Sequence, residues 1–245
     1  MTVAARILAA GALSCLLGVA ATSAASASNP LVVQSANFAG YNATAASAIT
    51  TFSGAIKMPT VTCPSTGGGS NFEASVEISD TSGNIAVLGV GGQCSPMNGG
   101  AATNFEAAVQ MNSNFSPSLD AGASVGVAPG QTVHATITEN ATTGFTSLTI
   151  ANPTTKASGS ASTPLVPSFN DVRAGLDQLS FSAPGSSFTP IPSFTAFSFI
   201  GLKFNGATLA TLSPTESEMY DGSTLQVATS AFGAGGGFNT IFKHV

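Results

Sequence analysis

The sequence predicts an all-β protein folded as an antiparallel sandwich. Short runs alternate apolar and polar residues, as in 72–78, and this alternation is typical of half-buried strands. Turn signals separate the runs, among them Asn205-Gly206 and Asp221-Gly222, which are dipeptides that type I′ hairpin turns favour. Helical periodicity is hard to find after the N-terminal segment.

The predicted strands follow one another along the chain, and we expect a single domain over residues 28–245 because no linker divides it. In one strand Val133, Ala135 and Ile137 share one face, and hydroxyl-bearing residues occupy the other. The segment 151–167 is rich in Ser, Thr and Pro and is predicted to be a long loop. The principal predicted strands are 55–58, 72–78, 132–138, 145–150 and the Phe-rich 194–204.

The N-terminus has the pattern of a secretory signal peptide. A charged start precedes an apolar run over 7–20, and Ala25-Ser26-Ala27 fits the small-x-small cleavage rule. We therefore expect residues 1–27 to be removed and the mature protein to be secreted into the extracellular space. The alternative is a retained N-terminal anchor, although the run is short for a membrane span.

The mature chain would keep two cysteines, Cys63 and Cys94, because Cys15 lies within the predicted signal peptide. An even number of cysteines in an exported protein predicts one disulfide. Two free thiols are the alternative.

Composition excludes several classes of function. Charged residues make up 7% of the chain, with Lys plus Arg 6, Asp plus Glu 11 and a net charge of −5. Six cations cannot neutralise many phosphates, so we expect no nucleic-acid partner. No later segment is apolar enough to cross a membrane, so we expect no membrane association after signal cleavage.

The usual catalytic and metal-binding patterns are missing. His134 lies in a predicted strand and His244 is next to the C-terminus, and no Cys/His pair has the spacing of a zinc site. Residues 122–126 match G-x-S-x-G, but no helix follows, as a nucleophile elbow requires. The sequence also lacks a calcium loop and a phosphate loop, so we expect neither a metal nor a cofactor. The phrase N-F-E-A occurs twice, at 71–74 and 104–107.

The order of several segments resembles the glutamic peptidases, or eqolisins, of peptidase family A4. Residues 37–41 are similar to the W-A-G-Y opening of that family, 58–63 to its V-P-T-V-T-C strand and 127–131 to its V-S-P-G-D turn. The resemblance covers nearly all of 37–242. It implies a sandwich of two bent antiparallel sheets, a concanavalin-like jelly-roll architecture, and a Cys63–Cys94 bridge. It also implies acid proteolysis, in which a Glu activates water and a Gln amide helps stabilise the oxyanion.

The chain departs from this family where the chemistry should be. The Gln of the family motif I-L-Q-T-G falls on Gly89, and its catalytic Glu falls on Ser182. The Trp and Asp of W-V-G-x-D-G fall on Ser75 and Ser79, and the aromatic cleft wall falls on 107–111. The resemblance therefore implies a divergent member with both dyad positions replaced.

Three functions remain open. The leading hypothesis is a monomeric, catalytically inactive sandwich that acts as a binding or structural protein, with a polypeptide as the partner in its cleft. The second is an acid-acting glutamic-type endopeptidase with relocated catalytic residues, Glu77 and Gln110. The third is a carbohydrate-binding module that uses Tyr41, Phe105 and Gln110. The predicted binding residues are Tyr41, Ser75, Ser79, Gln110 and Gln178.

Overall fold

The computed structural model describes residues 32–63, 70–94, 102–113, 117–179 and 191–243. The predicted signal peptide, Ser182 and His244 lie outside these residues. The described ranges contain no helix long and apolar enough to cross a membrane.

Within these ranges the chain forms eighteen β-strands and two single-turn 3-10 helices, which confirms the all-β prediction. The helices are Pro117–Leu119 and Leu209–Leu212. The strands are β1 Val32–Ser35, β2 Phe38–Thr44, β3 Thr51–Lys57, β4 Val61–Thr62, β5 Ser70–Ser79, β6 Ile85–Cys94, β7 Ala102–Asn112, β8 Ala121–Gly126, β9 Thr132–Asn140, β10 Phe145–Asn152, β11 Ala157–Thr163, β12 Asp171–Leu179, β13 Ser193–Phe194, β14 Phe197–Phe204, β15 Ala207–Thr208, β16 Thr215–Asp221, β17 Thr224–Thr229 and β18 Phe238–Phe242.

The strands form a sheet that folds over on itself as a sandwich, close to a barrel. Hydrogen bonding is continuous along the order β11-β10-β9-β3-β14-β18-β17-β16-β2-β12-β5-β6-β7-β8. The last strand of this path, β8, packs against β10 and β11 at the other end. All pairs are antiparallel except β1 with β16, and β4 with β13 forms a separate two-stranded sheet.

Alternation along the strands builds the core. In β9 the side chains of Val133, Ala135 and Ile137 are buried, whereas those of His134 and Thr136 are exposed. The predicted two-faced strand is therefore confirmed. Large aromatic side chains fill the space between the layers, and the most deeply buried are Phe52, Phe72, Phe169, Phe197 and Phe199.

The prediction of a long loop over 151–167 is wrong, because β11 occupies part of it. This strand pairs with β10 over its whole length. Its inward positions are small because the layers approach closely here: an added Cβ at Gly159 would lie 3.1 Å from the Cβ of Ala123 on β8. Small residues on both faces leave no apolar alternation for the sequence to reveal.

One of the two predicted hairpin turns differs in detail. Asn205 and Gly206 connect paired Phe204 and Ala207 and both have positive φ, +50° and +81°, as a type I′ turn requires. Asp221 is instead the last paired residue of its strand, opposite Thr224. The loop residues there are 222–223, with positive φ only at the first, which is the type II′ arrangement.

The predicted disulfide is confirmed. Cys63 and Cys94 are bonded with their Cα atoms 5.5 Å apart. Because Cys63 follows β4 and Cys94 ends β6, the bond ties the small β4–β13 sheet to the large one.

Candidate functional site

A groove of about 710 Å³ lies over the outward face of β5, β6, β7 and β8. Alternation brings every second residue of each strand to this face. Six carboxylate- or amide-bearing residues line the groove, namely Glu73, Gln93, Glu106, Gln110, Asn112 and Asp120. The floor between them is largely glycine, at positions 89, 91, 92 and 122.

Beside the groove, Arg173 and Asp177 of β12 form an ion pair. The Asp177 carboxylate also accepts a hydrogen bond from the Ser75 hydroxyl at 3.1 Å. The guanidinium carbon of Arg173 lies 4.1 Å from the centre of the Phe38 ring, a cation–π contact. This network fixes the position of Asp177 at the margin of the groove.

Two glycines make room for the Phe38 ring. An added Cβ at Gly40 would lie 2.8 Å from this ring, and one at Gly175 would lie 2.7 Å from it. The two glycines face each other on β2 and β12. Glycine is required at both positions, because the added Cβ atoms would lie even closer to backbone, 2.1 Å from the Ala174 carbonyl oxygen and 2.2 Å from the Ala39 carbonyl oxygen.

Glu73 and Asp177 are directly opposite each other on β5 and β12. Burial raises the pKa of Glu73, and the carboxylates of Asp177 and Glu77 raise it further. Burial also raises the pKa of Asp177, although Arg173 and the Ser75 hydroxyl oppose the shift. The pair therefore retains a proton to a higher pH than exposed carboxyls do.

Glu73 also occupies the space in front of Gly89. A Cβ added at Gly89 would lie 2.1 Å from Oε1 of Glu73, and the three atoms nearest to it all belong to that side chain. The position that the family resemblance assigns to the catalytic amide therefore holds no side chain of its own. A carboxyl from the neighbouring strand takes its place.

The structure brings several predicted site residues to the groove face. Ser75 is 5% exposed and bonded to Asp177, so it supports a carboxylate rather than contacting ligand. Ser79 lies at the end of the same strand and is partly exposed. Gln110 is exposed and lines the groove. Glu77 shares a cross-strand row with Gln110, but Val87 lies between them.

Tyr41 is not a surface residue, which contradicts its predicted role as a ligand platform. It is 0% exposed, its ring stacks on Phe232 at 4.1 Å, and its hydroxyl donates to the Ser230 carbonyl at 3.0 Å. Burial, with the Glu216 carboxylate, raises the pKa of Tyr41 further above its ordinary value. Residues 38–41 of β2 are all buried, and Tyr41 belongs to the hydrophobic core.

The structure does not describe the side chains of two further residues that the sequence assigns to the site. The backbone of Gln178 pairs with that of Phe72 on β5, and its side chain is outside the described part of the structure. Ser182 is outside it altogether.

The sequence did not single out Glu73, Glu106, Arg173 or Asp177 as site residues. The repeated phrase N-F-E-A was the available signal, because its two glutamates, Glu73 and Glu106, lie in one cross-strand row on either side of Gly91. Repetition alone gave no reason to assign them a role, since two copies do not define an architecture.

Comparisons with known proteins agree with this fold. A family model described as the Peptidase A4 family matches residues 36–237. The structure is similar to that of scytalido-glutamic peptidase with a transition state analog inhibitor, with a TM-score of 0.57 and 16% identity over 85% of this chain and 98% of that one. It is equally similar to SCP-B, a member of the eqolisin family, in a complex with the tripeptide Ala-Ile-His, with a TM-score of 0.57, 16% identity and coverage of 85% and 98%. No match was found among curated protein sequences. The family model spans most of the chain, and the chain belongs to the Peptidase A4 family.

Proposed function

We propose that this protein is a secreted, non-catalytic member of its family that binds an extended polypeptide segment in the groove. The supporting observation is the replacement at Gly89. The family reaction needs an amide donor at this position to stabilise an oxyanion. Here the position has no side chain, and the carboxyl of Glu73 fills the space within 2.1 Å of where a Cβ would be. In its ionised form this carboxyl would oppose negative charge on a substrate oxygen.

The charges around the groove favour a cationic or neutral segment. Glu73, Glu106 and Asp120 line it, and Arg173, the nearest described cation, is engaged by Asp177. Gln110 adds an exposed amide that can donate to and accept from a peptide backbone. A groove of about 710 Å³ is within the size range of small-ligand and peptide sites.

Hydrolysis with relocated groups is a second candidate. Glu77 and Gln110 occupy one row of the groove face with Val87 between them, so their Cα atoms are two strand spacings, about 9.5 Å, apart. The Glu73–Asp177 pair offers a protonated and an ionised carboxyl side by side, which can act as acid and base. Either pair would require the groove to hold a scissile bond.

Digestion of a denatured protein at acid pH separates the two candidates. The purified mature chain should release no fragments above the rate of a buffer control. Cleavage that disappears in Glu77→Gln or in Asp177→Asn, but persists in the exposed-surface variant Ser147→Ala, would establish relocated chemistry and refute the non-catalytic proposal.

Binding is tested separately with fluorescently labelled peptides. A Lys-rich peptide should raise fluorescence anisotropy at low ionic strength, and a Glu-rich peptide of equal length should not. The variant Glu106→Gln combined with Gln110→Ala should weaken binding of the Lys-rich peptide, whereas Ser147→Ala should not. Equal binding of both peptides, or binding unaffected by the groove variant, would refute the assigned site.

A further inference from the structure

The tripeptide Asn-Ala-Thr occurs twice in the described ranges, at 42–44 and at 140–142. Asn-x-Ser/Thr, where x is not Pro, is the acceptor pattern for N-linked oligosaccharides in secreted proteins. A third match, Asn-Phe-Ser at 114–116, lies outside the described residues. Because the two Asn-Ala-Thr copies are identical in sequence, their positions in the fold decide which of them is a suitable acceptor.

The second copy lies on the hairpin between β9 and β10. Asn140 ends β9, and residues 140–145 are all exposed. The side-chain oxygen of Asn140 accepts hydrogen bonds from the N–H groups of Thr142 at 3.0 Å and Thr143 at 3.1 Å. Since the oxygen of this planar amide is turned toward the loop, its nitrogen Nδ2, which is the atom that receives the sugar, is turned away from it.

The first copy lies within the sheet. The backbone of Asn42 pairs with β12 on one side and with β16 on the other. Its side chain is half-buried, and Nδ2 donates to the Ser217 hydroxyl at 3.4 Å. The Thr44 hydroxyl donates to the Asp171 carboxylate at 2.7 Å. Both polar side chains of this copy are therefore engaged by neighbouring strands, unlike the exposed pair of the hairpin.

An exposed aromatic ring lies beside Asn140. Phe145 is directly opposite Asn140 in the antiparallel pair of β9 and β10, which places their Cβ atoms about 4.5–5.5 Å apart on one face. Phe145 is 44% exposed, and no other phenylalanine of the described residues is as accessible. A pyranose ring presents a face of C–H groups that can pack on an aromatic ring. A sugar on Asn140 would therefore shield the Phe145 ring from water.

We propose that Asn140 carries an N-linked oligosaccharide whose first sugar packs on Phe145. The proposal rests on the secretion stated in the proposed function, because this modification is made during export. The sugar donor is a lipid diphosphate-linked oligosaccharide. Nδ2 forms a bond to the anomeric carbon, the bond from that carbon to the diphosphate oxygen breaks, and the lipid diphosphate leaves with the bonding electrons. The amide loses one proton, and nothing is oxidised or reduced.

The oligosaccharide would leave the groove open. The groove is lined by residues of β5 to β8, with Asp120 just before β8, and none of 140–145 lines it. Charged residues make up only 7% of the chain, so a hydrated oligosaccharide would also add to solubility. The modified hairpin therefore serves the surface of the protein, and peptide binding in the groove should not depend on it.

Site mapping of the full chain, expressed in a eukaryotic host that attaches N-linked oligosaccharides, tests the acceptor. Amidase release converts each glycosylated Asn to Asp, which peptide mass spectrometry of the secreted protein detects. Most molecules should be modified at Asn140 and only a small minority at Asn42. Secretion with Asn140 unmodified, or with equal occupancy at Asn42, would refute this proposal alone. Retention of the unprocessed chain in the cell would refute secretion and this proposal together.

Two neighbouring variants control for the pattern. Thr142→Ala removes the hydroxyl that the acceptor pattern requires and should abolish modification of Asn140. Thr143→Ala changes the next residue of the same loop, leaves the pattern intact and should keep the modification. Loss of the modification in both variants, or its persistence in Thr142→Ala, would contradict the assignment.

Melting of the secreted protein tests the contact with Phe145. Complete removal of the oligosaccharide should lower the melting temperature by about 1–3 °C, as expected for one modest contact in a domain of this size. Trimming that leaves only the first sugar should retain most of the stability. In Phe145→Ser the effect of complete removal should largely disappear. An unchanged melting temperature on removal, or an equal decrease in Phe145→Ser, would refute packing on this ring.

Discussion

Replacing Gly89 with alanine tests whether Glu73 occupies the vacated amide position. The new Cβ would lie 2.1 Å from Oε1 of Glu73, so the carboxyl must rotate away from its place beside Asp177. We expect this displacement to cost about 1–2 kcal/mol, in the lower part of the range for overpacked sites because the obstacle is the end of a flexible side chain. Alanine also restricts the unfolded chain, which stabilises by about 0.4–1 kcal/mol. The net result should be a loss of about 0.5–1 kcal/mol in the free energy of unfolding.

The sign should reverse when Glu73 is truncated first. In a Glu73→Ala background the carboxyl nearest to the new Cβ is gone, so Gly89→Ala should stabilise by about 0.4–1 kcal/mol. A double-mutant cycle measured by denaturant unfolding should therefore give a coupling energy of about 1–2 kcal/mol. Gly126→Ala is the matched control, because its added Cβ meets nothing within 4 Å; it should have the same effect in both backgrounds. If Gly89→Ala also has one effect in both, Glu73 does not fill that space.

Three further predictions concern pH, redox state and processing. The pKa values of Glu73 and Asp177 are raised above 4.5 and 3.8 in the folded protein, so the folded state binds these two protons more tightly than the unfolded state does. The contribution of this pair to the free energy of unfolding should be greatest below about pH 4. It should fall as the pH rises through the folded pKa values, by at most about 1.4 kcal/mol per pH unit per proton. Glu73→Gln should flatten this decline in pH-dependent denaturant melts, and an unchanged slope would contradict the assignment. Reducing Cys63–Cys94, which are 31 residues apart, should cost about 3–4 kcal/mol in the chain-entropy model, measured by unfolding with and without reductant; equal midpoints would argue against it. Sequencing the exported protein should give an N-terminus just after Ala27, and one at the initiator methionine would disprove cleavage.

Strand positions and the disulfide were predictable because their signals are local or compositional. The alternation around Val133 and Ile137 reports a half-buried strand directly, and the Asn205-Gly206 dipeptide specifies its own turn. β11 escaped prediction because its inward positions are as small as its outward ones, and only the close approach of Ala123 explains this choice. The two-residue loop 222–223 was not predicted, because it depends on the pairing of Asp221 with Thr224, which the local sequence does not specify.

The groove was predictable only in part, because strand register determines which side chains meet. Alternation correctly placed Ser75 and Glu77 on one face of β5. It could not show that Asp177 on β12 faces Glu73, because the two residues are far apart in the chain and pair only through sheet order.

The missing side chain at Gly89 and the buried Glu73–Asp177 pair belong to one structural change, because the Glu73 carboxyl fills the space in front of Gly89. By the family resemblance, a Trp and a Gln would stand where Ser75 and Gly89 now face each other, and their removal would leave a void in the groove floor. Glu73 extends across Gly89, and Ser75 donates to Asp177, so two carboxyls and one hydroxyl occupy this volume. An unpaired buried carboxylate would be costly, but the raised pKa values of Glu73 and Asp177, which favour protonation, and the Arg173 ion pair offset that cost. The arrangement keeps the floor packed and favours a folded state at acid pH. On the proposal that the protein is non-catalytic, an acid-stable scaffold would persist after loss of its oxyanion donor, since stability in acid and catalysis depend on different atoms of the same groove.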